Sequence, residues 1–430
     1  MAYTDQDMRV ATQLAYIDFN PEHIAAHPEW TVRDHIINTP GLKEFIEKEQ
    51  PGMLTRYMNE NYGNWKILEP VNNNSLFGSG FCACTIDTGD GNAIIGYRGS
   101  ESSTLEIGLD DWVFTDVGFL NSKEQRQQTE AAEYMQMIYE KYGDDYNSFS
   151  ATGHSLGGNL AEHATLMSSD EMAAKLDRVV SFDGPGYSDE YIATHAEQIE
   201  RRASLIDHFQ YSFVGVMLNP IPGTNYRTIA AHDDQTSFFK DPLRYFMRGF
   251  WRHGTWNIEF DKEGYVQDGE PDDLAIFFRG FSNAADDLTS GPWYMAVPQL
   301  ASILLGINEE VSPEEFWNTV KKYQSEYLAP FGKIPCNFKI STPKLDSTSD
   351  TAGSVARNLP SEAAEVKNIK SEVSLLLKAA SLFTVSYKLG KSASNLEKLA
   401  KKAQKVMEVG KEASSSYSNT ERELTSNAGA

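Results

Sequence analysis

Ser148-Phe149-Ser150-Ala151-Thr152-Gly153-His154-Ser155-Leu156-Gly157-Gly158-Asn159-Leu160 is the stretch that decides the fold of this 430-residue chain. Gly153 to Gly157 spell Gly-x-Ser-x-Gly. Residues 146–152 before the motif read as a short strand, and residues 159–166 after it read as a helix with small residues near its start. In that context the serine occupies a sharp strand-to-helix turn, with its hydroxyl above the sheet edge and helix N-terminal amides beside it. Glycines flank it because side chains there would collide with the neighbouring strand and helix. The motif predicts an α/β sheet and a nucleophile, Ser155, aimed at an ester carbonyl.

Working outward, residues 81–87 and 93–97 read as strands joined by an Asp90-Gly91 hairpin turn. Residues 124–142 read as a long amphipathic helix. Residues 178–182 form a buried-strand pattern ended by Asp183-Gly184-Pro185-Gly186, and further strands are expected at 204–209 and 226–230. Strand and helix alternating about the serine turn imply a sheet with crossover helices. Before residue 75 the chain reads as mainly helical, with apolar residues at helical spacing over 8–17 and 42–57.

Past residue 240 the pattern changes. Residues 243–251 are aromatic and amphipathic, and 256–260 with 265–266 flank a second hairpin turn. Phe246, Met247, Phe250 and Trp251 would form an apolar face that reads either as a lid or as core packing. Residues 341–360 are rich in Ser, Thr, Asp and Pro and read as a linker. Val366, Ile369, Val373, Leu376, Ala380, Phe383 and Tyr387 then alternate three and four apart. Gly390 ends that helix, and Ser394 with Glu397 caps a second. The expected organisation is a 1–340 catalytic domain, a 341–360 linker and a 361–430 helical hairpin. The hairpin carries 11 Lys or Arg against 8 Asp or Glu. It must pack on something, either the catalytic domain or partner helices.

A formal net charge of −23 argues against nucleic acid as a partner and against long-lived adsorption to anionic lipid. The acidic N-terminal segment has no apolar core of a signal peptide, and the apolar stretch 294–307 is short and broken by Pro298. These features predict a soluble chain, either cytoplasmic or exported without an N-terminal signal. Three cysteines make no disulfide framework. Cys82 and Cys84 share one strand face and are expected to be buried and free. No cluster has zinc-ligand spacing, and neither a metal nor a cofactor is expected.

Acyl transfer from Ser155 needs an oxyanion hole, a base and an acid that orients the base. The Leu156 amide follows the nucleophile and suits the first oxyanion donor. Ser100, at the end of the strand Ile94-Ile95-Gly96-Tyr97-Arg98-Gly99-Ser100, suits the second. Tyr97-Arg98-Gly99-Ser100, Asp111-Trp112-Val113-Phe114-Thr115-Asp116, Gly153-His154-Ser155-Leu156-Gly157-Gly158 and Phe182-Asp183-Gly184-Pro185-Gly186, in that order, resemble the class 3 (fungal-type) lipase family. The likeness is to its bacterial lipase-like branch and covers roughly residues 8–260. Ala15-Tyr16-Ile17-Asp18-Phe19 fits the same branch. The resemblance implies an α/β-hydrolase fold, hydrolysis of carboxylic esters of acyl lipids, no metal, and Ser100 as the oxyanion residue.

The base falls to His232, which follows a late strand where the family places its histidine, ahead of His253 as the alternative. His154 is expected to point away from the nucleophile and His163 to be packing. His23, His27 and His35 read as surface or satisfied histidines. The acid is open between Asp183 and Asp207, because Ser212 stands where the family carries aspartate. An enzyme of this kind with a helical tail resembles type VII-secreted bacterial lipase toxins. In those, C-terminal helices bind small helical partners, and an immunity protein is a further expected partner. The alternative is an interaction protein on a hydrolase scaffold.

Overall fold

The computed structural model describes residues 3–59, 61–73, 79–99, 126–232, 249, 251–289, 299–300, 302–303, 308 and 310–331. Outside these residues lie Ser100, the Asp111–Asp116 motif, Phe246, Met247, Phe250, the 341–360 linker and the 361–430 hairpin. The chain divides into two compact units. One contains Met1–Pro298 and Glu315–Lys333, and the other contains Gln299–Glu314 and Ile334–Ala430. In the second unit, Asn308 accepts the amides of Glu310 and Val311 on its side chain.

The first unit is built on a seven-stranded sheet in sequential order, β1-β2-β3-β4-β5-β6-β7. The strands are β1 (Lys66–Asn72), β2 (Cys82–Asp87), β3 (Asn92–Tyr97), β4 (Ser148–His154), β5 (Leu176–Phe182), β6 (Ile206–Gln210) and β7 (Asn225–Thr228). β1, β2 and β3 pair antiparallel, and β3 through β7 are parallel. β1 corrects the expectation of a mainly helical chain up to residue 75; its Pro70 cannot donate to a ladder. The outer position accommodates it, with a register shift between Leu68 and Val71.

Sequential order has a direct consequence. Right-handed crossovers that always step in one direction place their helices on one face of the sheet. That face holds α6 (Arg126–Tyr142), α7 (Leu156–Met167), α9 (Asp189–Thr194) and α10 (Ala196–Arg202), packed on Ala93, Ile95, Phe149, Ala151 and Val179. A short α8 (Asp170–Ala173) precedes β5. The other face needs a separate cover. The helical N-terminal region supplies it, as α1 (Asp5–Leu14), α2 (Pro21–Ala26), α3 (Val32–Asn38), α4 (Leu42–Glu49) and α5 (Met53–Asn59). Met8, Leu14, Ile36 and Tyr57 pack there on Ile86, Ile94, Val180, Phe182 and Phe209. Neighbours such as Ile94 and Ile95 go to opposite cores, as the period of two requires.

The helix expected over 42–57 is two helices. Pro51-Gly52 interrupts it, and Gly52 adopts φ +79°. α11 (Asp273–Leu288) and α12 (Pro313–Leu328) follow. Cys82 and Cys84 are buried and free, and burial pushes the Cys84 thiol up to about 12. This mixed sheet with helices on both faces and a serine turn between β4 and α7 has the α/β-hydrolase fold.

Candidate active site

The site lies at the carboxyl ends of the parallel strands, where open α/β sheets leave a crevice. Register brings its parts together. His154 on β4 pairs with Phe182 on β5, and Phe182 pairs with Phe209 on β6. Ser155 and Asp183 are the next residues on adjacent strands, which lie ~4.8 Å apart. The Ser155 amide still donates to the Phe182 carbonyl (3.0 Å), and the Asp183 amide to the Phe209 carbonyl (2.7 Å).

Both residues hold strained backbones, with φ +57° at Ser155 and +53° at Asp183. Ser155 is the N-cap of α7, with ψ −132°. The turn closes tightly around it. A Cβ at Gly153 would come 2.1 Å from the Gly157 carbonyl oxygen, and one at Gly157 would come 2.3 Å from that of Tyr97. The strand end that leads to Ser100 therefore packs directly on the serine turn. Leu156 is the first residue of α7, where backbone amides have no intrahelical acceptor.

The third member is His253, in the helical turn 251–253. Its Nδ1 donates to Asp183 Oδ2 at 2.6 Å. Asp183 is fully buried. Its Oδ1 accepts the amides of Tyr211 (2.8 Å) and Ser212 (2.9 Å), and its Oδ2 also accepts the Ser212 hydroxyl. Burial alone would raise this carboxyl, but the bonds from His253, Ser212 and the Tyr211 amide outweigh it and hold the group below its ordinary value. A carboxylate so held fixes the proton of His253 on Nδ1 and leaves Nε2 as the basic nitrogen.

The backbone of His253 is clamped as well. Its carbonyl accepts from His154 Nε2 (2.7 Å) and from the Tyr211 hydroxyl (3.0 Å). The two imidazoles lie 4.3 Å apart between centroids. Tyr16 donates to His154 Nδ1 at 3.2 Å, which fixes the tautomer that donates from Nε2. Burial, then repulsion from His253, lowers the pKa of His154 to about 3, so its ring is neutral. From α1, Gln13 Nε2 donates to the Thr255 hydroxyl (2.6 Å) and Arg9 to the Thr255 carbonyl (3.2 Å).

The favoured histidine lies elsewhere. His232 is 67% exposed, and its Nδ1 meets Glu259 Oε1 at 3.2 Å. β7 ends at Thr228, and the chain beyond it runs outward through an isolated bridge, Ala231 to Ile258. The histidine that meets Asp183 is the alternative, His253, which follows the 233–248 segment in sequence. Asp207 is also elsewhere. It is the second residue of β6, about 10 Å before the catalytic edge at ~3.3 Å per residue. There it accepts from Arg178 Nε (2.5 Å), which also reaches Asp5 (2.6 Å), and from Asn225 (2.6 Å).

His154 is buried, and its Nε2 bonds the His253 carbonyl. Ser212, which stands where the resembled family carries aspartate, donates its hydroxyl to Asp183 and lies 3.3 Å from His253 Nδ1. The sequence registers Ser212 only as a departure, marks Tyr16 only as part of a stretch that fits the resembled branch, and does not single out Tyr211. His163 is buried and bonded to Tyr191 (2.5 Å). His23, His27 and His35 gather around Trp30, with His27 stacked on it at 3.9 Å. Among the described residues no group of three or more His, Cys, Asp or Glu is arranged to hold a metal ion. No described helix is long and apolar enough to cross a membrane.

Residues 55–237 match the Mbeg1-like family, a lipase-like family. The match runs from α5 past β7, includes Ser155 and Asp183, and ends before His253. No curated protein matches the chain. Among solved structures, M37 lipase matches with 15% identity and a TM-score of 0.31, covering 49% of this chain and 68% of that one. At that identity and TM-score, the roles of individual residues rest on this chain's own geometry. The described unit has an α/β-hydrolase fold, and its stretch 55–237, which includes Ser155, is similar to a lipase-like family.

Proposed function

We propose that this chain is a serine carboxylic-ester hydrolase, with Ser155 as nucleophile, His253 as general base and Asp183 as the acid that orients it. The observation that carries this reading is the buried His253 Nδ1 to Asp183 Oδ2 bond of 2.6 Å, set one strand from Ser155 in register. In the reaction Ser155 Oγ attacks the ester carbonyl carbon while His253 Nε2 takes its proton. The carbonyl oxygen becomes an oxyanion beside the Leu156 amide, with Ser100 as the expected second donor. Collapse expels the alcohol, which takes the proton from His253, and leaves an acyl group on Ser155. Water, deprotonated by the same nitrogen, then releases the carboxylic acid and restores the serine.

Acyl lipids are the proposed substrate class. Trp251 and Trp256, on either side of His253 in sequence, are 44% and 42% exposed, which suits a rim that meets an apolar surface. The proposal extends to a role as an exported effector whose 361–430 helices bind small helical partners. Its support is the heptad-like spacing and the basic balance of that segment.

The test is labelling by a fluorophosphonate probe together with fatty-acid release from a panel of lipid esters. Wild type should be labelled and active, and Ser155→Ala neither. Hydrolysis that survives Ser155→Ala would refute the mechanism. A labelled enzyme that cleaves soluble esters but no lipid would refute the substrate class alone.

A further inference from the structure

The mechanism leaves unused a buried Glu–His pair in the core beneath the site. Glu162, two turns into α7, and His208, on β6, are each 1% exposed, and His208 Nδ1 donates to Glu162 Oε1 at 2.6 Å. A buried ion pair is often no more stabilising than apolar residues of the same volume, so stability alone does not account for it. The other imidazole nitrogen, Nε2, lies 3.2 Å from the Gly215 carbonyl oxygen. With Glu162 ionised, both partners are acceptors. A neutral imidazole has one N–H, and only the imidazolium can donate to both.

Gly215 belongs to the 211–217 segment, which supplies the Tyr211 amide, the Ser212 amide and the Ser212 hydroxyl to Asp183. It is wedged against that acid, since a Cβ at Gly215 would come 2.3 Å from Asp183 Oδ1. The Val214 amide donates to Ser212 Oγ (3.1 Å), so the segment's own turn sets the hydroxyl. A continuous line of contacts thus runs from the nucleophile's helix through Glu162, His208 and Gly215 to Asp183 and His253.

We propose that Glu162 and His208 are positioning residues for the catalytic acid: the doubly donating His208 imidazolium holds the 211–217 segment in the conformation that serves Asp183. The proposal rests on the reading of Ser155, His253 and Asp183 given above. The surroundings favour the charged ring. Burial opposes it, but Glu162 from α7, the Gly215 carbonyl and the Asp183 carboxylate just past β5 outweigh burial and raise the His208 pKa. Tyr226 on β7, its ring 4.9 Å away, is a phenol raised far above its ordinary range, and Tyr187 beside Glu162 is raised likewise, so neither brings charge. Above the His208 pKa one donor is lost, the ring faces a carbonyl with a lone pair, and the segment is released.

The test uses the full chain, a p-nitrophenyl ester as probe substrate, and a pH profile of kcat and KM. Wild type should show an alkaline limb in kcat. Glu162→Gln removes the partner charge and should move that limb down by about one pH unit or more. His208→Gln should lower kcat by about tenfold to 10²-fold, with little change in KM, and abolish the limb. An unchanged limb in Glu162→Gln overturns the proposal. If either variant fails to fold, histidine-selective NMR of wild type decides: a doubly protonated His208 ring at pH 7 supports the proposal, and a neutral one overturns it. A wild type that fluorophosphonate does not label fails on the triad itself, and the positioning role falls with it. A labelled wild type with an unmoved limb loses the positioning role alone.

Discussion

Asp183→Asn tests the assignment of the acid. The carboxylate accepts four bonds, two backbone amides at Oδ1 and the Ser212 hydroxyl and His253 Nδ1 at Oδ2. An asparagine must turn its NH2 toward one pair. Facing the amides, it would leave two buried N–H groups unmatched, at ~1–3 kcal/mol each. Facing His253 costs less, because the serine hydroxyl can rotate and the imidazole can move its proton to Nε2. That tautomer has no lone pair toward the serine. The expected loss is ~10⁴ in kcat, as in a triad forced into the wrong tautomer, or ~5.5 kcal/mol of barrier. The fold should persist. The assay is kcat on a soluble p-nitrophenyl ester at neutral pH, with circular dichroism to check folding. A folded variant within tenfold of wild type would refute the orienting role of Asp183.

Three further outcomes follow from the same geometry. His253→Ala should abolish activity, while His232→Ala, at an exposed pair with Glu259, should leave kcat within about twofold. Steady-state kinetics of the two variants decides between them. His154 is neutral in the fold, with a pKa of about 3, and titrates near 6.5 when unfolded. The unfolded chain therefore binds the extra proton, so the stability from His154 is complete above about pH 6.5 and lost as pH falls toward 3. By pH 4 the loss is about 3 kcal/mol, so urea unfolding from pH 7 to 4 should show a smaller decline for His154→Gln than for wild type. Gly157→Ala places a Cβ 2.3 Å from the Tyr97 carbonyl and should destabilise by about 3 kcal/mol, read as a lower urea midpoint, with labelling of Ser155 lost.

The sheet is legible because each parallel strand is a short apolar run beside a turn signal, and the Ser155 turn because Gly153 and Gly157 are sterically compelled. Asp183 is a candidate because it ends a buried run and lies one strand from Ser155. The base is less legible. His232 follows β7 in sequence, but nothing local shows that the chain there runs outward, or that residues 251–253 return to the edge. What fixes them is remote, namely Tyr211, His154, Gln13 and Arg9. Ser212 is the converse case. Read alone it is a missing carboxylate, and only the pairing of β5 with β6 shows that the charge has a place on the adjacent strand. β1 is hidden by Pro70, because an edge position is a property of the assembled sheet.

The grip of α1 on Thr255 also bears on the order in which the site is completed. Those bonds join residues 246 and 242 positions apart. Closing so long a loop is entropically costly, whereas Ser155 and Asp183 are joined by one crossover. Nucleophile and acid can therefore meet early, while the base is seated only when the first helix docks across the sheet. A partly folded or nicked chain would hold a serine and a carboxylate with no imidazole fixed between them, so esterase activity would report that the two ends of this unit have come together.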